Sequence, residues 1–178
     1  MMSRFTFQFF TPLLLFLMML LDGQLTTVFQ NLSGGTLTPV CHLLLIFLVY
    51  SVTQHRHSYV VIVALFLGVV YDSYYVGILG IATLLLPLIA LFVYNIQSAV
   101  FTNRWTRLFT LIIIVTLFEV ASAIITSAFG FSKLNFLDFV VHQLAPTLLL
   151  NVVLAIILQY PLELFYKLRK SHPRYNLK

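Results

Sequence analysis

The stretch Leu108–Phe129, LFTLIIIVTLFEVASAIITSAF, contains a single charged residue, Glu119. A hydrocarbon core of about 30 Å is crossed by about 20 helical residues, so this run predicts a membrane-spanning helix. Five further apolar runs flank it: Phe5 to Phe29, broken late by Asp22-Gly23; Leu37 to Val52; Tyr59 to Val70; Ile78 to about Ala99; and Phe136 to Tyr160. Their length and lack of strict alternation exclude the strands of a membrane β-barrel. The first run also resembles the apolar part of a signal peptide, but no Ala-x-Ala site follows it, which favours a retained helix.

Composition agrees. Of 178 residues, 61% are apolar and 8% charged, against roughly 25% charged in soluble domains. So few polar groups cannot cover the apolar ones in water. A soluble domain, a disordered chain and a basic nucleic-acid groove are all excluded. The expected fold class is an all-α integral membrane protein, a bundle of about six transmembrane helices. Residues 1–166 would form one membrane domain and 167–178 a basic tail. A lone Cys41 excludes an internal disulfide and a cysteine metal cluster.

Basic residues predict the orientation. Arg4, Arg56, Arg104, Arg107, Lys167, Arg169, Lys170, Arg174 and Lys178 fall on one side of six crossings, and Lys133 on the other. Both termini are therefore expected in the cytoplasm, with the tail drawn to anionic inner-leaflet lipid. Tyr50, Tyr59, Tyr94, Trp105 and Tyr160 would mark the inner interface, and Tyr71, Tyr74 and Tyr75 the outer one.

The acids divide by depth. Glu163 reads as a surface pair with Lys167 at i,i+4. At 1.5 Å per residue, Asp22 lies about 27 Å above Arg4, Asp72 about 20 Å above Tyr59, and Glu119 about 18 Å above Arg107. Asp138 opens the sixth run and shares a helix face with His142. All four belong to the outer half of the membrane or its rim. For Asp22 and Asp138, burial and a headgroup position both stand as readings. Asp72 is either a cap for the following helix or part of a cavity. Glu119 reads as buried and in need of a partner, because membrane-embedded acids face the protein interior. The third run is short, so its helix either continues through Tyr71-Asp72-Ser73-Tyr74-Tyr75 or breaks, and Gly68, Gly77 and Gly80 permit close packing or a break.

No H-E-x-x-H, G-x-S-x-G or P-loop pattern is present. His55-Arg56-His57 reads as a loop topology element rather than a metal pair. Asn31-Leu32-Ser33 matches a glycosylation sequon by chance. His42 and Asn151 are expected to bond neighbouring helices, and Pro87 and Pro146 to kink theirs. No cofactor and no metal are expected.

The segment Leu67-Gly68-Val69-Val70-Tyr71-Asp72-Ser73-Tyr74-Tyr75-Val76-Gly77-Ile78-Leu79-Gly80 resembles the bacterial rod shape-determining protein MreD family. Pro146-Thr147-Leu148-Leu149-Leu150-Asn151 is similar to that family's pattern in its last helix, and the first span's terminal acid, the length and the basic C-terminus also fit. The resemblance covers nearly the whole chain, with Gly68 to Gly80 its specific part. It implies a non-catalytic scaffold of the cell-elongation (rod) complex in the bacterial inner membrane, controlling cell shape and peptidoglycan synthesis. The implied partners are an MreC-like bitopic membrane protein and, through it, the MreB filament, RodA and a class B penicillin-binding protein. Asp22, Gly68, Asp72, Gly77, Gly80, Glu119, His142 and Asn151 are the candidate partner-contacting or cavity-lining residues. The family's fold is similar to that of the substrate-binding S components of energy-coupling-factor vitamin transporters, which supply the alternative function. Those subunits use an Ala-x-x-x-Ala type motif in the first span. Here Thr11-Pro12-Leu13-Leu14-Leu15-Phe16-Leu17-Met18-Met19-Leu20 places large residues there instead.

Overall fold

The computed structural model describes residues 4–131 and 135–166, with side chains from Phe10 onward apart from Val76. Lys133, Lys167, Arg169, Lys170, Arg174 and Lys178 lie outside the described residues, as does the expected tail 167–178. Among the described residues there are six helices and no strands. They are α1 (Arg4–Leu32), α2 (Leu43–Ser51), α3 (His57–Tyr71), α4 (Ile81–Val100), α5 (Arg104–Ala128) and α6 (Phe136–Phe165). Five are long and apolar enough to cross a membrane; α2 is not.

The short helix α2 is the axle of the fold. All nine of its residues are buried, and it packs against α1, α4, α5 and α6. The longer helices surround it through successive pairings of α1 with α3, α3 with α4, α4 with α5, and α5 with α6. Their outer faces carry exposed apolar side chains such as Leu13 and Leu17 of α1 and Ile156 and Ile157 of α6. Exposed apolar faces around a buried axle suit a lipid solvent rather than water. Phe10 meets Phe165 with ring centroids 6.2 Å apart, so α1 begins and α6 ends at one end of the bundle. That end is called here the Arg104 end, and the opposite one the Gly77 end.

The second apolar run differs from its expected form. Leu37 to Val52 is not one helix: residues 37–42 form no regular secondary structure, and only Leu43–Ser51 is helical. Thr38-Pro39 explains the break. Proline lacks an N–H and disfavours helical geometry at the residue before it. A non-helical backbone inside a bundle must find partners for every polar group. The Thr38 N–H donates to the His142 carbonyl (2.8 Å). The Val40 N–H donates to Thr147 Oγ1 (3.0 Å), and the Cys41 N–H to Thr26 Oγ1 (2.9 Å). The His42 N–H donates to Asn151 Oδ1 (2.8 Å), and Asn151 Nδ2 returns a bond to the Val40 carbonyl (2.7 Å). Pro146, four residues beyond His142, has no N–H to offer that carbonyl. A π-helical turn, Phe139–Leu144, precedes that proline inside α6.

The third run continues rather than breaking. A π-helical turn, Asp72–Val76, extends α3, and the chain then reverses through Gly77 (φ 71°) and Gly80 (φ 118°) into α4. Both glycines hold the left-handed backbone that other residues adopt at a cost. Gly68 fixes the spacing of this hairpin, since a Cβ there would lie 2.6 Å from the Thr83 Cα and 2.7 Å from the Ala82 carbonyl oxygen.

Candidate functional site

Two carboxylates cap helix N-termini within the bundle. Asp22 of α1 accepts from the Leu43 N–H (2.5 Å) and the Leu44 N–H (2.9 Å) at the start of α2. Asp72 accepts from the N–H groups of Gly80 (2.9 Å), Ala82 (2.7 Å) and Thr83 (2.9 Å), and from Thr83 Oγ1 (2.8 Å). Both acids are buried. First-turn N–H groups are otherwise unpaired and carry the positive end of the helix dipole, so each carboxylate satisfies donors and meets a favourable field. Of the two readings for Asp72, the structure shows the cap.

Glu119 of α5 is buried and has two partners. Its Oε1 lies 2.6 Å from His42 Nε2, and its Oε2 accepts from Gln143 Nε2 (2.9 Å). The His42 ring also stands edge-on to Phe118, with centroids 5.3 Å apart. Glu119 therefore joins the start of α2, the middle of α5 and the π turn of α6. His42 and Asn151 bond neighbouring elements, as membrane-embedded polar groups generally do.

A cavity of about 620 Å³ opens beside this junction toward the Gly77 end. Glu119, Asp138, His142 and Gln143 are among its polar lining, and Tyr71, Tyr75 and Phe118 among its rings. Asp138 is exposed; its Oδ2 accepts from Asn135 Nδ2 (2.6 Å), and its Oδ1 lies 4.0 Å from His142 Nδ1. A second cavity of about 250 Å³, lined partly by Asp22, Thr26 and Cys41, shares the Tyr71, Tyr75 and Val40 walls. The Tyr75 hydroxyl donates to the Met19 carbonyl (2.9 Å), and its ring occupies the space that a side chain at Gly23 would need.

Of the eight candidate residues, Glu119 and His142 line the larger cavity and Asp22 the smaller. Asp72, Gly77 and Gly80 build the α3–α4 turn, Gly68 sets the approach of those helices, and Asn151 braces the non-helical segment. Gln143 and Ser122 also line the larger cavity and were not singled out from sequence. A glutamine beside His142 within an apolar run was the available signal for the first.

The Arg104 end overturns one expectation. Glu163 is not a surface acid. It is buried, and it accepts from Arg104 Nε (2.9 Å), Arg104 Nη2 (2.7 Å) and Arg107 Nη2 (3.1 Å) of α5. Lys167 lies outside the described residues. Arg107 is itself buried, 5.3 Å from the Tyr50 ring centroid and 5.5 Å from that of Phe101. Tyr50, expected at an interface, is buried with it. Arginine forms such bidentate, ring-stacked pairs because its planar fork is preorganised for them.

The family described as rod shape-determining protein MreD matches the chain over residues 3–169. A cell shape-determining protein MreD of Streptococcus pneumoniae (strain ATCC BAA-255 / R6) is 30% identical over 125 residues, covering 70% of this chain and 76% of the relative. No solved structure matches the chain.

Proposed function

The chain belongs to the rod shape-determining protein MreD family, and from that premise we propose that it is a non-catalytic scaffold of the rod complex. It is a multi-pass membrane protein with a role in shape determination. In the proposed role its bundle binds the transmembrane helix of an MreC-like bitopic protein. Its Gly77 end positions that partner's extracytoplasmic part. Through the partner it acts on the MreB filament, RodA and a class B penicillin-binding protein, and so on peptidoglycan synthesis. The family match over nearly the whole chain carries this reading. The bundle is consistent with it, because its outer faces carry exposed apolar side chains available for helix association in lipid.

The proposed orientation follows from charge. Arg56, Arg104 and Arg107 lie on the same side as the basic tail in sequence, so the Arg104 end faces the cytoplasm of a bacterial inner membrane. A reporter fused after Lys178 is expected to be active only in the cytoplasm; activity only outside overturns this orientation.

The scaffold itself is tested by depletion and capture. Loss of the chain from a rod-shaped host is expected to round the cells, and the tagged chain is expected to recover an MreC-like protein from membranes. Rods that persist, with no such protein recovered, overturn the reading. The larger cavity favours a second reading, the vitamin-binding S component, while Leu13, Leu17 and Leu21 on the exposed face of α1 leave no small-residue seam for that subunit's transporter contact. Thermal stabilisation by riboflavin, thiamine or biotin would favour it.

A further inference from the structure

The two π-helical turns among the described residues, Asp72–Val76 and Phe139–Leu144, both border the larger cavity. Tyr75 comes from the first, and His142 and Gln143 from the second. Single π turns in otherwise α-helical segments are frequent at functional sites, and here two converge on one space. Its volume, about 620 Å³, falls among those of small-molecule sites, roughly 300–1,000 Å³.

The lining chemistry selects the class of occupant. At the buried side, each Glu119 oxygen has one protein partner and retains a further acceptor direction. At the open side stands the Asp138 carboxylate, 67% exposed. Ser122 adds a buried hydroxyl with no hydrogen-bond partner among the described residues. Unpartnered buried polar groups are rare in native proteins and often mark a place that something else fills. No lysine or arginine is among the described lining residues. The Tyr71, Tyr75 and Phe118 rings line the same space and give it apolar walls. Acceptors at both depths, aromatic walls and no described fixed cation disfavour an anionic ligand and favour one that donates.

We propose that this cavity binds a small organic cation, a molecule with an apolar body and a protonated amine. The ammonium is held by Asp138 at the mouth, with the body against Tyr71, Tyr75 and Phe118. This proposal does not rest on the docking of a bitopic partner.

The test uses the purified full chain in detergent and three probes of similar body and different head: 2-phenylethylammonium, 2-phenylethanol and 3-phenylpropanoate. Thermal unfolding is read against probe concentration. The ammonium is expected to raise Tm saturably, by roughly 5 °C or more at a hundredfold excess over Kd, while the alcohol and the carboxylate leave it unchanged. Asp138→Asn is expected to keep the unliganded Tm and to weaken the ammonium effect at least about tenfold, since it removes a charge-assisted bond. Equal rises with all three probes show apolar partitioning and overturn the proposal. So do a rise with the carboxylate alone, no rise with any probe, and an ammonium effect that survives intact in Asp138→Asn.

Discussion

The two ends of this bundle use their polar residues in opposite ways. At the Arg104 end, Glu163, Arg104, Arg107 and Tyr50 bond and stack on one another, and all but the exposed Arg104 are buried between α5, α6 and α2. At the Gly77 end, Glu119 and Asp138 bond their neighbours but leave acceptor directions facing a cavity. The difference lies in charge matching. Both Glu163 oxygens are taken up by guanidinium groups, whereas carboxylates partnered by neutral amides and an imidazole keep some capacity in reserve. The closed end should therefore act as a structural clamp and the open end as a receptive surface.

Removing a clamp residue tests that contrast most severely. Glu163→Ala leaves the buried Arg107 guanidinium without its carboxylate, and breaking a buried pair in this way costs about 3–5 kcal/mol. A large fall in Tm is expected; a small one would mean that Arg107 finds water or lipid headgroups instead. Asp72→Ala comes next. It strips the N–H groups of Gly80, Ala82 and Thr83 of their acceptor, with an expected loss of about 2–4 kcal/mol from unmade buried bonds. Protease susceptibility at the α3–α4 turn should rise with it. Gly68→Ala drives a methyl group into the α4 backbone, and overpacking of this kind costs about 1–3 kcal/mol, measurable by thermal unfolding.

Within the open end, the exposed mouth of the cavity should be far more tolerant than the buried Asp72 cap. Asp138→Asn is expected to change stability by no more than about 0.5 kcal/mol, as for exposed sites in general. A loss as large as that of Glu163→Ala would erase the distinction between the ends. The smallest effect concerns pH. His55, in the turn between α2 and α3, bonds Thr11 Oγ1 at 2.7 Å, and burial holds its imidazole pKa below the ordinary value. The unfolded chain then binds more protons than the folded one, so stability rises with pH across that interval and is lost on acidification through it. A shallow fall in Tm below about pH 6.5 should disappear in His55→Gln.

The sequence made local relations plain and distant ones invisible. The span from Leu108 to Phe129 was legible because lipid rewards long apolar runs. The Asp72 cap was legible as an option because its donors lie 8–11 residues on, across one glycine-marked turn. Glu163 was misjudged because its partners lie 56 and 59 positions away, while a lysine sat temptingly four residues along the same helix. Residues 37–42 were read as helix because their apolar character matched a span. Pro39 signalled the break, but of the groups that make it tolerable, Thr26 comes from the preceding helix, and Thr147 and Asn151 from α6, 107 and 109 positions away from their partners. Apolar periodicity reports which segments enter the bilayer, and says little about which polar groups meet there.

That non-helical segment sets an order on biosynthesis. Thr38, Val40 and His42 emerge from the ribosome early, yet the groups that accept their amide hydrogens belong to α6, which is translated last. Until Thr147 and Asn151 arrive, those amides have no permanent acceptor in hydrocarbon, where each unmet group is costly. The packing of this segment is therefore expected to be completed only after α6 has inserted, and a chain truncated before Thr147 should stall with that segment at the membrane surface or in the insertion machinery.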